Sequence, residues 1–258
     1  MSDTLFAWNN YVLTASLSAT SQALPVTNLQ NERGAPSEAW QTASGVVDSA
    51  IVTIRPQLSG SLWRAFGVFR TNLTPFANIT VTLYNNPTSA VWGGSVEGPE
   101  PGFYQAILVA DADVQADYCT IEIDDPGNRQ GFLNVPLIYA GPAWLTTSPP
   151  SYDTTFGGDA AVNEAVSRGG QEYPTILYER RRGELSFQSI RSGEVLGQLA
   201  ELTSTARRGN NVLFVPDVLS ETMSQEAIYG RVTATADVGY PYGAADRRSW
   251  RARITERL

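Results

Sequence analysis

The 258-residue chain has no histidine, no lysine and a single cysteine, Cys119. Without histidine it lacks the commonest metal ligand and the usual general base near neutral pH. Without lysine it can form neither a Schiff base nor the lysine contact of a Walker-type phosphate loop. One cysteine makes no intramolecular disulfide and no cysteine-based zinc site. No apolar run approaches the roughly 20 residues that a bilayer-spanning helix needs. Imidazole, amine and thiol relays are therefore excluded, and so is a transmembrane helix; no cofactor or metal is expected.

What is present suits one large or two medium globular domains: 42% hydrophobic and 10% aromatic residues, with 22 Gly and 15 Pro. All 18 basic residues are Arg, set against 26 acidic ones, and the net charge of -8 argues against nucleic acid as a partner. The charge is uneven. Residues 1–145 hold 12 acidic and 5 basic residues, whereas 146–258 hold 14 and 13, which suggests two units with different surroundings. At the amino terminus Asp3, Asn9, Asn10 and Thr14 depart from a signal-peptide pattern, so synthesis is expected in the cytoplasm. Asn72-Leu73-Thr74 and Asn78-Ile79-Thr80 match glycosylation spacing, but without a secretory signal they read as ordinary strand-end residues.

The first half reads as strands separated by turn clusters, which favours a sandwich or barrel. Ile79-Thr80-Val81-Thr82-Leu83-Tyr84 alternates and stops at Asn85-Asn86-Pro87. Cys119-Thr120-Ile121-Glu122-Ile123-Asp124 alternates too, placing Cys119, Ile121 and Ile123 inward before the turn Asp125-Pro126-Gly127-Asn128. Residues 63–69 (Trp-Arg-Ala-Phe-Gly-Val-Phe) are more uniformly apolar and suit a central strand covered on both faces. Further strands are expected at 46–54, 103–109 and 132–139, and a long loop at 24–42 that returns through Trp40.

Consecutive prolines in Thr146-Thr147-Ser148-Pro149-Pro150-Ser151 mark a stiff linker, which sets the domains at 1–145 and 153–258 with 146–152 between them. After the linker, 153–168 reads as an extended arm or irregular segment. One helix is clear in the second domain, over about 193–208. Ser192 caps it, Val195, Leu199, Leu202 and Ala206 form its buried stripe with Leu196 beside them, and Gly209 stops it. Strands are expected at 176–178, 184–187, 212–215, 229–236 and 249–254. In the last, Trp250, Ala252 and Ile254 face one way and Arg251 and Arg253 the other. The fold class is therefore mainly β: a sandwich plus an α+β or mostly β domain.

Carboxylate pairs are the only catalytic option left. Asp111, Asp113, Asp117, Glu122, Asp124 and Asp125 are dense, yet they lack the EF-hand spacing, and as a glycosidase pair they would need a separation that sequence does not give. A solvated acidic rim is the plainer reading. Of the aromatics, Trp92 beside Gly93-Gly94 and Phe103-Tyr104 after Pro101-Gly102 are the candidates for a sugar-stacking platform, whereas Trp63 belongs to a strand core. Arg180, Arg181 and Arg182, together with Trp250, Arg251 and Arg253, are candidates for a subunit interface, combining Arg with aromatic character.

A resemblance rests on these same stretches. Thr27-Asn28-Leu29 before the loop to Trp40, Arg70-Thr71-Asn72-Leu73-Thr74, Ile138-Tyr139-Ala140-Gly141-Pro142-Ala143-Trp144, Gly169-Gly170-Gln171, Val212-Leu213-Phe214-Val215-Pro216-Asp217, Tyr229-Gly230-Arg231 and Ile254-Thr255-Glu256-Arg257 resemble the distal or minor tail proteins of long-tailed bacteriophages. The resemblance implies a galactose-binding-like (discoidin-type) jelly-roll β-sandwich in the first domain. It implies a non-enzymatic structural protein of the virion, made in the bacterial cytoplasm. Such a protein forms a ring, commonly a hexamer, that joins the tail tube protein to the baseplate hub and supports receptor-binding parts. The alternative is a carbohydrate-binding module that uses the sandwich on a host-surface glycan.

Overall fold

Alternating apolar residues set the strands of the first unit, and the turn clusters set their ends. The computed structural model describes residues 4–86, 88–234, 238–239 and 246–257. Pro87, Thr235 and Ala236, used above to place a turn and a strand end, lie outside the described residues. The chain divides into two units, one of Ser2–Leu145 with Leu213–Ala227, the other of Thr146–Val212 with Ile228–Leu258. Residues 213–227, expected in the second domain, thus fold with the first.

In chain order the first unit begins with β1 (Leu5–Ala7), β2 (Ser16–Ala19), β3 (Trp40–Gln41), β4 (Ala50–Arg55), β5 (Ser61–Phe69) and β6 (Asn78–Asn85). It continues with β7 (Ser89–Glu97), β8 (Gln105–Ala116), β9 (Tyr118–Asp124), β10 (Asn134–Val135), β11 (Leu137–Gly141) and β12 (Trp144–Leu145). After it come β13 (Thr155–Val166), β14 (Glu172–Arg191), a helix α1 over residues 192–207, β15 (Asn211–Val215), a short helix α2 (Met223–Glu226), β16 (Ile228–Ala234) and β17 (Arg247–Glu256).

The first unit is a β-sandwich: one sheet has the order β2-β4-β9-β6-β7, the other β11-β5-β8, and the pairs within both are antiparallel. Its core lies between them. Val52 and Ile54, Ile79, Val81 and Leu83, and Cys119, Ile121 and Ile123 face Trp63, Phe66, Val68 and Ile138. A register shift between Trp63 and Ala65 changes the alternation of β5, so that both Trp63 and Phe66 enter the core, stacked at 6.2 Å. The opposite face of β5 is buried as well, at Ala65, Phe69 and, across the sheet, Ile107 and Tyr139. This is the doubly covered strand that its largely apolar sequence predicts. Segment 213–227 ties to β8: Gln105 Nε2 donates to the carbonyls of Ser224 and Ala227, and Ile107 N donates to Ser224 Oγ at 3.0 Å. Leu213–Val215 of β15 pair with β1, and β1 pairs with β12. The loop at 24–42 holds two 3-10 turns, inserts Val26 and Leu29 into the core and ends at fully buried Trp40, whose Nε1 donates to Ser21 O.

In the second unit the antiparallel order is β16-β17-β14-β13. Of the two readings of 153–168 the extended one holds, since β13 occupies most of these residues, and the two strands expected at 176–178 and 184–187 are one 20-residue strand, β14. The proline segment is not a free linker: Thr147 N and Oγ1 donate to Glu194, Ser148 Oγ to Ser189 O and Ser151 N to Ser186 O. The helix forms as expected, with two corrections. Its N-cap is Arg191 rather than Ser192, with the Glu194 carboxylate accepting from Arg191 N, and a π-wound turn at Val195–Leu199 rotates Leu196 out to 84% exposure while Leu199, Leu202 and Thr205 are buried. Gly209, at φ +80°, makes the left-handed stop.

Candidate functional site

Strand direction gathers four loops at one end of the sandwich. Residue pairs Asn78↔Glu97, Ala50↔Ile123 and Leu137↔Phe69 fix that end, where the connections 42–49, 70–77, 98–104 and 125–133 meet. They are bound to one another. Thr71 N donates to Tyr104 O, Gly98 N to Ala77 O and Gly45 N to Gly131 O. Asn72 is saturated: its Nδ2 donates to Gln130 Oε1 and Phe132 O, and its Oδ1 accepts from Asn134 N. Beneath lies Asp125, fully buried, which accepts from Thr74 N at 2.9 Å, Thr74 Oγ1 at 2.5 Å and Asn128 Nδ2 at 3.1 Å. Arg70 adopts a left-handed φ of +59° and donates to Gly34 O, binding in a further loop.

On this base stand groups that no described residue uses. Phe76 is 89% exposed and Tyr104 66% exposed. The guanidinium of Arg129, the amide nitrogen of Gln130 and the Tyr104 hydroxyl have no partner among the described residues, and all three side chains are exposed. Flat apolar faces beside free planar donors are what a ligand with alternating C–H and O–H surfaces requires.

Of the residues singled out in the sequence, Tyr104 and Phe103 belong to this end, Phe103 half-buried. Trp92 does not join them. It lies opposite Leu83, five residue pairs along β7 from the Asn78↔Glu97 pair, and stacks at 5.6 Å on core residue Phe66. Phe76 and Arg129 were missed; the aromatic after Thr74-Pro75 in a turn was the one signal. The acidic residues are dispersed. Asp117 accepts from Gly60 N and Asn86 N, Asp125 braces the loops as above, and Asp113 pairs with Arg64 at 3.3 Å. Among the described residues no three Asp, Glu or Cys side chains converge as for a metal.

In the second unit the arginines alternate with buried residues as expected. Trp250, Ala252 and Ile254 are buried, while Arg251 and Arg253 lie on the other face. Trp250 is therefore no surface residue: at 2% exposure it packs against Phe187 at 5.8 Å. The remaining candidates make ion pairs within the chain, Arg181 with Glu256 at 2.6 Å, Arg182 with Asp159 at 2.8 Å, Arg253 with Glu184 at 2.6 Å and Arg251 with Asp153 at 3.4 Å. Arg180 only approaches Asp159, at 3.8 Å. Beyond the pair Arg182↔Thr255, β14 pairs among the described residues with β13 alone, leaving a two-stranded ribbon with Val162, Val166, Tyr173, Ile176 and Leu177 exposed.

No protein-family model matches the chain. No curated protein matches it. Among solved structures it is similar to the lectin domain of lectinolysin complexed with Lewis B antigen, at 14% identity over 52% of this chain and 97% of that one, TM-score 0.42. It is also similar to the family 32 carbohydrate-binding module of C. perfringens NanJ in complex with galactose, at 15% identity over 52% and 98%, TM-score 0.40. A fucose-binding module of Streptococcus pneumoniae gives 13% identity over 52% and 98%, TM-score 0.41.

Proposed function

We propose that the chain is a non-catalytic binding protein whose galactose-binding-like sandwich recognises a carbohydrate through the loop end carrying Tyr104 and Phe76. The observation that carries this reading is two exposed aromatics, Phe76 and Tyr104, on the same loop end as the unpartnered Arg129, Gln130 and Tyr104 polar groups, with the loops held by Asp125 and Asn72. A sugar's C–H face packs on an aromatic ring while planar guanidinium and amide groups take its hydroxyls. The site is open, so the affinity expected is micromolar to millimolar, roughly -4 to -8 kcal/mol. The test is the full chain on a panel bearing terminal galactose, fucose and N-acetylhexosamines, followed by Tyr104→Ala and Arg129→Ala. Binding that falls at least tenfold in both variants supports the reading; no binding to any glycan sinks it.

A second reading concerns the other unit. In it the protein is a structural component of a long-tailed bacteriophage tail tip, a ring of copies that joins tail tube to baseplate hub while the sandwich faces the host. The apolar ribbon of β13 and β14 supports self-assembly, because an isolated two-stranded ribbon with apolar side chains exposed is poorly stable in water and presents an open strand edge. The solution mass of the full chain is the test: a multiple of 28.0 kDa supports assembly, and a monomer at every concentration counts against it.

A further inference from the structure

The solvent face of the second unit's sheet is an arginine surface. Alternation puts Arg180 and Arg182 of β14, Arg251, Arg253 and Arg257 at β17, and Arg231 of β16 on one side, opposite buried Trp250, Ala252, Ile254 and Val232. Three of these, Arg180, Arg231 and Arg257, converge on a cleft of about 470 Å³ also lined by Tyr178, Thr233, Thr255 and Glu256. Their neighbours on the face each hold a carboxylate: Arg182 has Asp159, Arg251 has Asp153 and Arg253 has Glu184. In the cleft the carboxylates at hand are engaged by other arginines, Glu256 by Arg181 at 2.6 Å and Asp159 by Arg182 at 2.8 Å, with Arg180 3.8 Å from Asp159. Neither Arg231 nor Arg257 pairs with a carboxylate among the described residues, and the Nε of Arg180 is buried without a hydrogen-bond partner.

We propose that this cleft binds carboxylate side chains of an acidic segment supplied by a second copy of this chain. Guanidinium groups match carboxylates by paired, charge-assisted hydrogen bonds, and the same face already uses carboxylates three times for that purpose. The cleft accommodates one or two acidic side chains. A second copy fits by local charge complementarity, because residues 1–145 carry 12 acidic against 5 basic residues. The contact joins two different surfaces, so repetition generates a closed ring or a filament rather than a two-fold dimer. The inference rests on the self-assembly reading of the second unit.

The experiment is sedimentation velocity of the full chain across concentration and salt, comparing the wild type with Arg231→Gln/Arg257→Gln and with Arg251→Gln/Arg253→Gln, which removes the same charge outside the cleft. Circular dichroism verifies that the variants fold. Expected is association at low salt that weakens at least tenfold in the Arg231/Arg257 variant, weakens less than threefold in the Arg251/Arg253 variant, and is displaced by hexaglutamate at millimolar concentration. A wild type that assembles while the Arg231/Arg257 variant assembles equally well overturns the cleft and leaves self-assembly standing. A wild type that stays monomeric at low salt overturns both. Displacement by a thymidine dodecamer better than by hexaglutamate overturns the carboxylate as occupant.

Discussion

Asp125 shows how one side chain couples the fold to the candidate site. It is the first residue after β9, fully buried, and its two oxygens receive three donors from Thr74 and Asn128. Asp125→Ala leaves those donors without a partner in a dry place, which costs about 3 kcal/mol at roughly 1–3 kcal/mol for each unsatisfied group, offset by local rearrangement. The midpoint of urea unfolding should fall accordingly, and glycan affinity should fall with it, because loop 70–77 carries Phe76. Cys119 couples the core to pH. Burial between the sheets raises its thiol pKa far above the ordinary value, so the fold favours the protonated form. The sign follows: stability is complete below the unfolded thiol's pKa of about 8.5 and declines above it, by at most about 1.4 kcal/mol per pH unit. Between pH 7.5 and 9.5 the wild type should therefore lose more stability than Cys119→Ala, by about 1.4 kcal/mol; equal losses would refute the assignment.

At the scale of elements, legibility tracked how local the cause was. Strands β6 and β9 were readable because alternation against a single core is written into consecutive residues, and residues 63–69 because both faces of β5 are covered. The helix was readable from its stripe, but the π-wound turn that expels Leu196 was not, since a change of winding leaves no mark in a 3.6-residue period. The outer ribbon failed for a different reason. Its residues alternate little because neither face of 155–166 is buried within the chain, so the periodic signal of a core was absent. Of the candidate site, Tyr104 was visible beside a turn, whereas Phe76, Arg129 and the bracing by Asn72 depend on loops far apart in sequence. The ribbon's exposure predicts its role. Val162↔Ile176 is a cross-strand pair, and Val162→Asp with Ile176→Asp places like charges opposite each other on the apolar side. The mass in solution should fall to that of one chain while the second unit's thermal midpoint shifts by only a few degrees; an unchanged assembly would remove the ribbon from the interface.

For the whole molecule, the composition change near residue 145 suggests that cutting there frees a complete sandwich, and the chain's path says otherwise. Leu213–Val215 pair with Leu5–Ala7 of β1, Thr4 Oγ1 donates to Pro216 O, and Gln105 donates to the carbonyls of Ser224 and Ala227. Phe6 packs between Trp144 at 5.8 Å and Phe214 at 5.0 Å. A fragment ending at Leu145 loses Phe214 and with it one side of that stack, unpairs one edge of β1 and exposes Ile107 beneath α2. Each of these removes apolar burial worth about 1.5–3 kcal/mol per large side chain, against a total stability of only about 5–15 kcal/mol for a domain. The fragment 1–145 should accordingly bind a hydrophobic dye and melt well below the intact chain, and a peptide of residues 211–227 added in trans should reverse both changes. A fragment 1–145 that melts at the temperature of the intact chain would show that the returning segment adds nothing to the sandwich, and the unit would then end where its charge changes.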